Sequence, residues 1–163
     1  MTEWRALSDD EIVELAGRLR SAKWPCPLDD IPELAATFGW KVESSRPEWI
    51  RLDSGFGRAS GMVEADDGTA VELTLQVTDF ADKDEAGRAQ TLDTFVRMAN
   101  ALTGGLGEPT ARIPGESAEV RWAGAEATIV LSDLDITVQL ALIANSRLAA
   151  HDRTIDLQEQ GLI

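Results

Sequence analysis

Cysteine and histidine each occur once in this chain, tyrosine is absent, and basic residues number 15 against 29 acidic ones. With Cys26 alone, no intrachain disulfide can form, and the fold needs no oxidising compartment. His151 lies in a weakly patterned segment, and no Ser or Cys sits in a nucleophile motif, so the usual general base and its nucleophile are both missing. One His and one Cys far apart supply too few ligands for a zinc-type site. No apolar run reaches the roughly 18 residues of a membrane span. The opening stretch MTEWRALSDDEIVELAG has no basic segment followed by an apolar run, so no secretory signal is expected and the cytoplasm fits. A formal net charge of −14 opposes binding to a phosphate backbone, where affinity comes from Lys and Arg displacing counterions. These absences predict a non-enzymatic protein with no cofactor, no metal, no nucleic-acid partner and no membrane partner.

What is present is a long helical stretch between two sets of strands. Over Asp84 to Thr103, Leu92, Phe95, Val96, Ala99 and Leu102 recur three and four apart and predict one apolar stripe, with Gly104 and Gly105 ending the helix. Ser8 and Glu11 have the spacing of a capping box, which starts a first helix at Asp9 with Ile12, Leu15, Ala16 and Leu19 on its apolar face. Pro25 and Pro27 interrupt the chain, and a shorter helix follows from about Asp30 to Phe38, closed by Gly39.

Strands are expected near Trp40–Val42, Trp49–Leu52, Arg58–Ala65 and Thr69–Thr78, with Asp67-Gly68 as a hairpin turn. After the long helix the alternation returns near Thr110–Ile113, Ala118–Trp122, Ala127–Leu131 and Asp135–Ile143. The fold class is therefore α+β: an antiparallel meander sheet, or two, with helices packed on one face. Each half runs helix, Gly-containing turn, meander and long amphipathic strand. That is a helix-plus-sheet unit duplicated around the central helix, or two unrelated halves with the same local grammar. Residues 1–145 form one domain, and 146–163 form a C-terminal tail that docks or frays.

Asp79, Asp82, Asp84 and Glu85 cluster before the central helix, but their spacing is not that of a calcium loop, and helix-start carboxylates account for the last two. The glycines of Gly55-Phe56-Gly57-Arg58-Ala59-Ser60-Gly61 lead into a hairpin, not a helix N-terminus, which fits a tight bend better than a phosphate loop. Of five tryptophans, Trp40 and Trp122 lie in strands and are expected in the core. Trp24 and Trp49, beside prolines, are the interface candidates. Cys26, between two prolines, is expected to be inert.

Ser8-Asp9-Asp10-Glu11-Ile12, Phe38-Gly39-Trp40, Leu106-Gly107-Glu108-Pro109 and Val120-Arg121-Trp122 together resemble an uncharacterised family of small actinobacterial proteins. Its members look like immunity-type proteins, the cytoplasmic companions of secreted polymorphic toxins. The resemblance implies a protein that neutralises a cognate toxin, and no catalytic or binding residues carry over with it; the net charge of −14 separately suits a basic partner. Acidic secretion chaperones of α+β fold are a second analogy, and a small-ligand domain a third reading. A carboxylate-only hydrolase has no acid pair singled out by spacing. The contact residues expected for a protein partner are Trp49, Arg51, Asp79 and Asp82.

Overall fold

The computed structural model describes residues 4–162. Helix α1 (Asp9–Ser21) begins at a full capping box: the Ser8 hydroxyl accepts from the Glu11 N–H at 3.2 Å and the Glu11 carboxylate accepts from the Ser8 N–H at 2.9 Å. That bond from the Ser8 backbone holds the Glu11 carboxyl below its ordinary range. A two-residue strand β1 (Cys26–Pro27) and a 3-10 turn lead into α2 (Ile31–Phe38), which Gly39 ends at φ 78°. Next come β2 (Lys41–Arg46), β3 (Trp49–Asp53), β4 (Gly61–Asp66) and β5 (Thr69–Gln76). Asp67 and Gly68 turn the β4–β5 hairpin with both residues at positive φ, 52° and 81°.

The central helix α3 (Glu85–Leu106) runs past the expected stop: Gly104 and Gly105 lie inside it, and Gly107, at φ 98°, ends it. Gly105 answers a packing need, since a Cβ there would lie 2.4 Å from Cγ1 of Val13 on α1. The buried face also differs from expectation. Thr91, Thr94, Phe95, Met98, Ala99 and Leu102 face the core, while Leu92 and Val96 remain 42% and 49% exposed. The threonines fit a core-facing turn because Thr91 returns its hydroxyl to the Gly87 carbonyl at 3.1 Å.

After α3 come β6 (Ala111–Ile113), β7 (Glu119–Ala123), β8 (Ala127–Asp133), β9 (Val138–Ala144) and α4 (Asn145–Glu159). All pairings are antiparallel, in the order β2-β3-β4-β5-β9-β8-β7-β6, with β1 added beside the start of β5. Each half is thus a four-stranded meander, and the last strands of the two meanders join them. One row of paired residues crosses the sheet as Ser44, Arg51, Met62, Thr74, Ala141, Val130, Arg121 and Ala111. Read from either end it runs small, Arg, apolar, small, so the halves are related by a pseudo-two-fold between Thr74 and Ala141.

One sheet face carries the core. Leu52, Val63, Leu73, Leu75, Ile129, Leu131, Leu140 and Leu142 meet Ile12, Leu19, Phe95, Met98 and Leu102 from α1 and α3. Trp122 is buried as expected and donates to the Gly107 carbonyl at 2.9 Å. Trp24 is not an interface residue: it is 3% exposed, and its indole N–H donates to the Val71 carbonyl at 3.1 Å. Cys26 is buried in β1, and burial pushes its thiol pKa up, away from the reactive thiolate.

The opposite face is half covered. There α4 presses Leu148 onto Val130 and Ala141, and its Asp152 takes the Arg121 guanidinium at 2.8 and 3.0 Å. This pairing holds the Asp152 carboxyl below its usual range. Arg147 reaches back to Glu72 and Glu64, which stand opposite each other on β5 and β4. Burial, and then the Glu64 charge, push the Glu72 carboxyl up against the opposing pull of Arg147. Its folded pKa lies above the unfolded one, so its contribution to stability is full below the unfolded value near pH 4.3 and lost as pH rises through the raised value. Glu72→Gln is therefore expected to stabilise the protein at pH 7 by about 0.5 kcal/mol, by relieving a like-charge cross-strand pair. It should also flatten the rise in melting temperature on mild acidification; a variant less stable than wild type at pH 7 would contradict this.

Candidate functional site

A broad concavity lies where the chain leaves β5 and enters α3. Thr78 is buried and shares its hydroxyl with that of Thr137 at 2.8 Å, and the Ala81 N–H donates to the Ile136 carbonyl at 2.7 Å. These bonds lay residues 78–81 along the β8–β9 connection. The chain then turns sharply, and Asp84 caps α3 by accepting from the Gly87 N–H at 2.7 Å. Gly87 is required by proximity, since a Cβ there would lie 1.9 Å from the Asp82 carbonyl oxygen.

On the facing wall, Arg88 clamps the β8–β9 connection to the helix. Its guanidinium donates to Asp133 Oδ1 at 3.2 Å and pairs with Asp135 at 2.8 Å. Asp133 is 1% exposed; its Oδ2 stands 3.0 Å from Arg88 without hydrogen-bond alignment, held by charge alone. Asp135 adopts φ 75°, a conformation that Asp tolerates better than most residues, and its N–H returns to Asp133 Oδ1 at 3.0 Å.

Between these walls lies a groove of about 810 Å³. Ala89, Leu92, Leu134 and Ile136 supply its apolar lining, and Asp82, Asp84, Glu85 and Asp135 stand on its rim with Lys83. Leu134 is 39% exposed; Phe80, on the crossing segment, is 62% exposed. Val96 continues the Leu92 side of α3 by one turn, also open to solvent. Apolar side chains gathered in a concavity with an acidic rim suit an apolar, positively flanked ligand and offer no nucleophile–base pair. Among the described residues no group of three or more His, Cys, Asp and Glu could hold a metal ion, and no helix is long and apolar enough to cross a membrane.

A family model matches residues 10–144, most of the chain. The chain belongs to DUF6301, a family of unknown function. The matched span contains both meanders and every residue of the groove, and ends where α4 begins. No curated protein and no solved structure matches this DUF6301 chain.

The four residues expected at a partner surface fall in different places. In this DUF6301 chain, Asp82 is exposed on the groove rim. Asp79 is occupied: its carboxylate accepts from the Arg5 N–H at 2.8 Å and its own N–H donates to the Arg5 carbonyl at 2.7 Å. Trp49 and Arg51 lie together on β3, on the face away from α1 and α3, with the guanidinium 5.1 Å from the indole centroid. Trp49 is in register with Glu64 and Glu72, seven residues before Asp79, so the two pairs are on the order of 20 Å apart along the strands. Leu92, Leu134, Ile136 and Arg88 were missed as site residues. For Leu92 the available signal was its place beside the Phe95–Met98–Leu102 row, which already fills the buried arc of α3.

Proposed function

We propose that this protein is a non-enzymatic binding protein that receives an apolar, basic-flanked segment of a protein partner in the α3 groove. The observation that carries the reading is Leu92, 42% exposed beside Leu134 in a concavity rimmed by Asp82, Asp84, Glu85 and Asp135. Apolar anchors supply affinity, while the acidic rim and the net charge of −14 speed the encounter with a basic surface. A toxin whose substrate cleft is basic meets these requirements, so the reading favoured is an immunity protein, acidic and cytoplasmic, that covers its cognate toxin.

The exposed groove also suits the alternative, a secretion chaperone that holds an exported partner in extended form. Sedimentation separates the two: the chaperone reading requires a dimer, and a strict monomer excludes it.

The direct test is capture by the tagged protein from a lysate of the source cells at low and moderate salt, using wild type and Leu92→Asp. Half-burying a leucine contributes about 1 kcal/mol, and a buried charge adds to the loss, so the variant is expected to bind its partner roughly 10- to 100-fold more weakly. The captured partner should be basic and should be lost as salt rises. Capture indifferent to both the substitution and salt would refute the groove as the site.

A further inference from the structure

We infer that the uncovered half of the sheet's second face, around Arg51, is a separate docking surface for an amphipathic helix of a protein partner, one bearing an aliphatic residue followed four positions later by a carboxylate. The inference does not depend on the α3 groove. It starts from the pseudo-two-fold, which places Arg51, Met62 and Thr74 where Arg121, Val130 and Ala141 stand in the other half. In that other half the same row is occupied. Leu148 of α4 packs on Val130 and Ala141, and Asp152, four residues on, takes the Arg121 guanidinium with two bonds.

The first half has no such helix, because after β5 the chain crosses to the core face to begin α3. Its row carries unmet polar groups. Arg51 Nε and the Ser44 hydroxyl, neighbours in register on β3 and β2, are both buried from solvent and lack hydrogen-bond partners. An exposed sheet face is ordinarily wetted, and its polar atoms find water. Here the donor is withdrawn from solvent with no acceptor.

Arg46 and Arg51 both stand over the Trp49 ring, at 5.9 and 5.1 Å, and form a local cationic patch on an acidic protein. Glu64, in register with Trp49 on the neighbouring strand, is paired from the other side by Arg147 at 3.7 Å. Met62 and Thr74 are half-buried and supply a shallow floor for one aliphatic side chain. A carboxylate brought to Arg51 gains charge-assisted bonds to a planar guanidinium already oriented by the indole.

The protein's own α4 provides the probe. A helix-stapled peptide of residues 145–159 is titrated to millimolar concentration into the intact, isotope-labelled chain and followed by amide chemical shifts. Shifts are expected at Ser44, Arg51, Met62 and Thr74, and not at Val130 or Arg121. Arg51→Glu should weaken binding at least about tenfold, and the peptide with Asp152→Arg should restore it to that variant, which also shows that the variant is folded. Absence of shifts at millimolar peptide, shifts centred on the α4 seat instead, or a charge exchange that fails to rescue would each overturn the inference.

Discussion

Alanine at position 87 is expected to lower the stability of the protein by about 3 kcal/mol and its melting temperature by roughly 10 °C. The cause is contact, not helix propensity, because Gly87 sits in α3 with its missing Cβ directed 1.9 Å from the Asp82 carbonyl oxygen. The tight turn through Asp82, Lys83 and Asp84 closes only over a bare backbone, and Asp84 caps the helix through the N–H of this same glycine. Thermal unfolding of Gly87→Ala measures the effect, and a melting point within about 2 °C of wild type would show that the turn relaxes freely. Because that turn forms one wall of the groove, the variant should also lose partner capture.

A loss of similar size is expected for Arg88→Leu. Removing one member of a buried pair leaves the other charge uncompensated, and Asp133 is 1% exposed with only the Asp135 N–H remaining to it. The cost should be about 3 kcal/mol, near the lower end for a buried pair because the Arg88 side chain is itself 39% exposed. The discriminating measurement is a double-mutant cycle in denaturant. Asp133→Asn placed in the Arg88→Leu background should recover much of the loss, since it removes the stranded charge while keeping the bond from the Asp135 N–H. Additive costs would mean that Arg88 stabilises through its alkyl stem alone.

These two residues show how unevenly the fold was written in the sequence. Local signals were legible: the Ser8–Glu11 capping box, the Asp67-Gly68 turn and the alternation of β5 and β9 each specify a conformation through neighbours a few residues away. Signals that depend on a distant contact were misread. Gly105 looked like a helix stop and is a crossing point with Val13, ninety-odd residues away in sequence. Leu92 and Val96 fit a helical stripe, but Met98 and the methyl groups of Thr91 and Thr94 fill the buried arc in their place.

The groove was partly legible for the same reason. Asp82 was picked out because it stands in a visible acidic run, whereas Leu134 and Ile136 come from the β8–β9 connection, about fifty residues further along the chain, through a turn that nothing local ties to α3. Trp24 does lie in the connector that the prolines signal, but it is buried there, because Val71, the acceptor of its indole N–H, stands on β5, far away in sequence.

The junction between the meanders bears on how the chain reaches this state. Neighbours in each meander are joined by short connections, whereas β5 and β9 meet only after all of α3 and three further strands have been placed between them. Local hairpins close early and distant pairings late, so the seam is expected to be the slow step. Until it forms, β9 is a free edge, and its sequence, Val-Gln-Leu-Ala-Leu-Ile-Ala, holds no charge, proline or glycine to deter another chain from adding to it. The native sheet hides that strand at its centre, and during synthesis the halves are in a race between closing on each other and pairing with a neighbour.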